Sequence, residues 1–400
     1  MRAPVPGIIA AILLGVLTAC GGNGSDELAD AAPTTTAARQ PMNVAEVVGG
    51  LEHGWDVGFL PDGRVLVTER PARLTLVEGT TATRVRADLS DIYVQGEGGL
   101  MGMVVHPDFD RTREFTMCQT YQENGQPVDI RLVTWRLSPD YRAATRVRDL
   151  LTGLPINESG RHSGCRPTIA ADGALLVGTG DTASDPTIPQ DRTSLGGKVL
   201  RIDLRTGKGL PDNPFASSTN PNERRVYTYG HRNVQGVAVR PGTGQVYISE
   251  HGPTGFDEMN RLQPGGNYGW DPSRGGTVEH YDEDVPMTDL QRFPNAVPPL
   301  WTSGASSTEA PSGAAFVSGQ QWGDLNGALS VVALRGQKML LFLLDSGGGE
   351  VSHVVLPAEF NDRFGRLRAV RRAADGALYV TTSTGSDDKL FRVTPANSGG

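Results

Sequence analysis

A short unit recurs along this chain: an apolar segment, a turn of the type Pro/Ala-Asp-Gly, then an alternating strand. Clear copies run Phe59–Thr68, Ile169–Val177 and Ala374–Thr381, with Asp62-Gly63, Asp172-Gly173 and Asp375-Gly376 at their turns. Asp-Gly between alternating apolar residues is a strong hairpin signal, because tight hairpin turns need positive φ and glycine adopts it at no steric cost. Diverged copies stand at Val104–Phe109, Val237–Ile248 and Asn326–Val332. Together they predict an all-β chain folded as a six-bladed β-propeller, in which radially closed four-stranded units protect their edges and surround a ligand-binding funnel. A pair of β-sandwiches is the competing architecture, and the uneven spacing of the copies keeps it open. The 51 glycines and 27 prolines suit many short strands joined by tight turns.

The N-terminal residues read as export machinery rather than fold. Arg2 supplies a positive start, Ile8 to Leu17 an apolar stretch too short to span a bilayer, and Leu17-Thr18-Ala19-Cys20 a small-residue cleavage site that matches the lipoprotein processing pattern. Residues 1–19 are therefore expected to be a signal peptide and Cys20 the lipidated N-terminus of an envelope protein held to the membrane by that anchor alone. Residues 20–41, rich in Gly, Ser, Asp, Ala and Thr, are expected to be a flexible tether. The propeller then occupies 42–396. Cys118 and Cys165 are left as a pair in an oxidising compartment and are expected to form a disulfide, two buried free thiols being the alternative. A net charge of −8 argues against a nucleic-acid footprint, which needs a clustered basic face.

The chemistry concentrates in Tyr229-Gly230-His231-Arg232-Asn233-Val234-Gln235-Gly236, in Glu250-His251-Gly252-Pro253-Thr254-Gly255-Phe256-Asp257-Glu258 and in Gly265-Gly266-Asn267-Tyr268-Gly269-Trp270. Arg232 offers a planar, permanently charged fork and Asn233 an amide donor, a pair suited to an anionic quinone or, equally, to pinning a blade turn. Gly252 and Pro253 sit in a turn whose carbonyls can serve a hard cation such as calcium. His162, in Arg161-His162-Ser163-Gly164-Cys165-Arg166-Pro167, is suited to general-base work near neutral pH. Arg366 and Arg368, two apart in a strand, are expected on one face as a clamp for carboxylates, or as part of a merely basic strand.

These segments, in their order and spacing, resemble the motifs of the soluble PQQ-dependent aldose (glucose/sorbosone) dehydrogenases, and matches run from about Gly54 to Ser383. The resemblance implies PQQ and Ca2+ as cofactors, with an aldose oxidised at its anomeric carbon to a lactone and electrons passed to an external acceptor. It implies His162 as the base over the cofactor face and Arg232 and Asn233 near the reactive carbonyl. It further implies Arg366 and Arg368 on the PQQ carboxylates, Gly252 and Pro253 on the catalytic calcium, and Glu258 and Tyr268 at a further structural calcium. Oligomeric state is left open.

Four positions depart from the family pattern, one of them Cys165, which replaces a small residue after the base. Glu97 replaces a Gln that bonds the cofactor, so it is expected to repel PQQ, to accept a bond from an Arg, or to lie protonated. Arg335 stands where the family usually has Lys, keeping charge but not shape. Arg161 replaces an Asp before the base, which is thereby expected to lack its usual orienting partner. These departures keep a second reading in play: a propeller lipoprotein that binds a ligand or partner without catalysis, having lost PQQ.

Overall fold

The three clear Asp-Gly turns have the same local geometry. In each, the residue before the turn closes a backbone bond across it (Leu60 N to Arg64 O, Ala170 N to Ala174 O, Ala373 N to Ala377 O, all 2.8 Å). The glycines take φ of 86–88°. The aspartate Oδ1 accepts the amide two residues on, at 3.0–3.1 Å. The side chain thus substitutes for a backbone acceptor while glycine supplies the left-handed step.

The computed structural model describes residues 35–37 and 40–396. The expected signal peptide and Cys20 lie outside the described residues. Six antiparallel four-stranded blades follow one another, with inner strands Gly54–Phe59, Leu100–Val105, Gly164–Ile169, Val234–Val239, Pro311–Phe316 and Leu367–Arg372. Every one of the six repeat units joins the inner strand of a blade to its second strand, so the repeat read from sequence is one turn per blade of a six-bladed β-propeller. The sandwich alternative is excluded by the closed ring of inner strands. Uneven spacing comes from insertions, chiefly residues 262–300 between the third and fourth strands of blade four.

Blade six is completed by the N-terminal strand Met42–Leu51, paired antiparallel with Asp388–Pro395. Within the segment expected to be tether, Thr35–Ala37 pair in parallel with Val354–Leu356, giving blade five a fifth strand. Composition misses this because backbone pairing at an open edge asks little of the side chains.

Apolar residues pack between blades rather than in one centre. The described residues form six clusters, one for each contact between neighbours; Leu66, Leu76, Met103 and Phe115 fill the first, for example, and Val57, Val67, Ala369 and Leu390 the one that closes the ring. The axis is polar. Fully buried Asp56 of blade one receives Arg371 of blade six in a bidentate pair at 2.7 and 2.8 Å and Arg166 of blade three at 3.1 Å. Burial works against the Asp56 carboxylate, yet these two guanidinium groups hold its pKa below the usual range. A disulfide joins Cys118, on the second strand of blade two, to Cys165, on the inner strand of blade three, with Cα atoms 6.1 Å apart.

Candidate active site

Inner strands all run away from one face of the ring, so the residues just before them, and those just after each second strand, gather at that face. Glu97, His162, Arg232, Asn233 and Arg366 arrive by the first route, and Arg70, Asp181, His251, Gly252, Pro253 and Arg335 by the second.

His162 is buried, at 4% exposure, in a contorted stretch of backbone: His162, Gly164 and Cys165 have φ of 50°, 55° and 61°. Such strain persists only where the surroundings enforce it. They do so here: a Cβ on Gly164 would meet Gly180 N at 2.4 Å, and one on Gly180 would meet His162 O at 1.9 Å. The His162 Nδ1 lies 2.7 Å from Asp181 Oδ1. Since an ionised carboxylate only accepts, Nδ1 carries the proton and Nε2, which has no protein partner among the described residues, is left as a base. Asp181 is fully buried and also accepts Trp270 Nε1 at 2.8 Å and Tyr281 Oη at 2.5 Å. Desolvation raises its pKa, but the charges of His162 and Arg232 and these bonds bring it below its ordinary value. The orienting partner expected to be missing at Arg161 is thus supplied from the next strand by Asp181, a residue the sequence reading passed over.

Glu97 neither accepts a bond from an Arg nor lies protonated. Desolvation opposes its charge, but the Arg368 guanidinium and the Asn233 amide are among the neighbours that hold its pKa below the ordinary value, so it is ionised, and it bonds to amides rather than to an Arg. Its carboxylate accepts Asn233 Nδ2 at 3.1 Å from both oxygens, Gln235 Nε2 at 3.2 Å and Ser163 N at 3.3 Å. The Asn233 amide is therefore engaged by Glu97. Around this hub stand cations: Arg70 donates to Gly96 O at 2.6 Å, Arg368 to Gln235 Oε1 at 2.9 Å, and Arg232 to His251 O at 3.1 Å. The Nε atoms of Arg70, Arg232 and Arg368 and the Nε2 of His251 are buried without any partner among the described residues. Burial pushes Arg368 down to about 9, with Arg166, Arg366 and Arg70 adding to the effect, and pushes His251 down to about 4. Unmet donors of this kind, beside crowded positive charge, fit a polyanion such as PQQ.

Arg366 and Arg368 both lie near the Glu97 charge but differ in burial. The strand starts at Leu367, and a register shift between Leu367 and Ala369 breaks the two-residue alternation, so Arg366 is exposed while Arg368 is buried. Arg335 is exposed after the second strand of blade five, its amide on Glu309 O at 3.1 Å; the Glu309 carboxylate pairs instead with Lys338 at 3.1 Å.

Gly252 and Pro253 open a tight loop in which a Cβ on Gly252 would meet Gly255 O at 1.9 Å. Asp257 ties this loop to blade five, accepting Gly252 N at 2.9 Å, Glu309 N at 2.6 Å and Ala310 N at 3.0 Å. The carbonyls of Gly252 and Pro253 accept no hydrogen bond from the described residues, which fits a hard cation. Among the described residues no three or more His, Cys, Asp or Glu side chains cluster as a metal site, so any calcium here relies on backbone oxygens. Glu258 is buried opposite Glu250, and burial together with that like charge pushes its pKa up to about 8. Thr288 Oγ1 and Asn260 Nδ2 donate to it at 3.0 Å. Tyr268 stacks on His231, and its hydroxyl is spent on Arg261 O at 2.8 Å and Gln263 N at 3.0 Å.

The model of the family described as "Glucose / Sorbosone dehydrogenase" matches residues 51–392. The chain belongs to the glucose/sorbosone dehydrogenase family. This family member is 29% identical over 363 residues to the aldose sugar dehydrogenase of Escherichia coli, with 90% of this chain and 95% of that protein covered. The PQQ-bound aldose sugar dehydrogenase of Streptomyces coelicolor superposes with a TM-score of 0.70 at 27% identity, over 90% of this chain and 99% of that one. The apo-form of the soluble E. coli aldose sugar dehydrogenase gives 0.73 at 28%, over 89% and 100%. Within this family member, sequence reasoning missed Asp181, Gln235, Trp270, Tyr281 and Arg70 as members of the site. Trp270 and Gln235 lie inside motifs already singled out; the others carry no local motif.

Proposed function

We propose that this protein is a PQQ- and calcium-dependent dehydrogenase that oxidises an aldose at its anomeric carbon to the lactone and passes the electrons to an external acceptor. The observation that supports it best is the set of orphaned nitrogens on Arg70, Arg232, Arg368 and His251 beside the His162–Asp181 pair. PQQ, when bound, supplies a two-electron acceptor for the hydride, and calcium a Lewis acid. Arg232, Arg366, Arg368 and Arg335 would seat the cofactor carboxylates and carbonyls, and the carbonyls of Gly252 and Pro253 would hold the catalytic ion. A second ion would draw on Glu258; the Tyr268 hydroxyl has other partners. His162 Nε2 takes the proton of the C1 hydroxyl, and Asp181 steadies the imidazolium that results. In this reading the protein is an envelope lipoprotein anchored through Cys20, as Leu17-Thr18-Ala19-Cys20 supports.

The deciding experiment is calorimetric titration of the calcium-loaded protein with PQQ, followed by dye reduction over a panel of aldoses. Saturable binding weakened in Arg232→Ala, with oxidation abolished in His162→Ala, is the expected result. No PQQ binding to the unaltered protein sinks this reading and leaves a ligand-binding propeller.

A further inference from the structure

Blade four lends the site a piece of chain that the chemistry above does not use. The long connection over residues 262–300 brings Tyr281 and Glu283 against blade three. Tyr281 Oη donates to Asp181 Oδ2 at 2.5 Å, the same oxygen that receives Trp270 Nε1 at 2.8 Å. That leaves Asp181 Oδ1 for His162 Nδ1 at 2.7 Å and Ala183 N at 3.0 Å. The Tyr281 ring stands edge-on to the imidazole, with centroids 6.1 Å apart, and 6.2 Å from the Trp270 ring. Two residues on, Glu283 pairs with Arg161 and lies 3.6 Å from Arg232 Nη2.

We propose that Tyr281 is a positioning residue for the base: it fixes the Asp181 carboxylate, and through it the ring and tautomer of His162, while Glu283 is the clasp that keeps Tyr281 in place. The fewer bonds a carboxylate accepts at one oxygen, the more freely it turns about its Cβ–Cγ bond. Losing the phenol leaves Oδ2 to Trp270 alone, and the Nδ1–H bond on the other oxygen loosens. Arg161, the departure just before the base, thereby gains a use: it seats the clasp. The catalytic consequence rests on the dehydrogenase reading, whereas the geometric one does not.

Tyr281→Phe tests this, because it keeps the ring and its contacts with His162 and Trp270 and removes one oxygen. The first readout is nitrogen-15 NMR of histidine-labelled protein without cofactor. His162 is expected as the Nδ1–H form with a slowly exchanging proton in the unaltered protein, and with a faster-exchanging one in Tyr281→Phe. The second is kinetics of the loaded enzyme: kcat is expected to fall about tenfold, a part of the ~100-fold or more that a general base contributes, with KM and PQQ affinity unchanged. An unchanged Nδ1 proton overturns the proposal, even if the melting temperature drops. Faster exchange in protein that oxidises no aldose in either form upholds the positioning role and defeats the dehydrogenase reading instead.

Discussion

His162 and His231 each meet a buried carboxylate 19 residues further along the chain, Asp181 and Glu250. The outcomes differ because their second nitrogens differ. His231 Nε2 is spent on Thr228 Oγ1 at 2.9 Å, and its ring is covered by Tyr268, so it is structural. His162 Nε2 has no such partner. That shared spacing, repeated from one blade to the next, was available in the sequence and would have found Asp181; a reading confined to contiguous motifs could not. Asp181→Asn keeps the shape but can present its amide to Nδ1 and reverse the tautomer. We expect kcat to fall by ~100-fold or more with PQQ binding unchanged, measured by dye reduction and calorimetry. His106 gives a pH effect of its own. Burial pushes it down to about 4 from 6.5, against Glu114, which raises it. The unfolded chain therefore binds the extra proton first, so the stability from neutral His106 is complete above 6.5 and is lost as pH falls towards 4. His106→Gln is expected to flatten the fall in denaturation free energy over that window by up to about 3 kcal/mol.

Strand order and turns were the most legible part of the chain, because a turn's chemistry is local: Asp62, Asp172 and Asp375 each satisfy a backbone amide two residues away. The irregular alternation at Arg366 and Arg368 was not legible, because a register shift is decided by the neighbouring strand, Leu378–Thr382, and leaves no mark on the residues themselves. The expected Cys118–Cys165 bond ties two blades together directly behind the His162 loop. Closing a loop of 47 residues' separation, it is expected to restrict the unfolded chain, so the double variant Cys118→Ala, Cys165→Ala should lose about 2–4 kcal/mol in denaturant titrations. The outcome that speaks against this is an unchanged midpoint after reduction.

Six apolar clusters between blades and one charged hub on the axis hold the ring. Periodicity shows that such a ring exists, but the hub joins residues 315 positions apart, from Asp56 to Arg371, and nothing in either neighbourhood announces the other. Asp56→Asn leaves two buried guanidinium groups short of charge and is expected to cost about 3–5 kcal/mol of stability, read by thermal and chemical denaturation. Closure of blade six carries a further consequence, one of timing. Met42–Leu51 is the outermost strand of the blade whose other three strands come last in the chain, so it finds its partner only when Asp388–Pro395 has been made. Until then this early strand carries an open edge, available to other chains, and the ring latches only once that late strand has emerged.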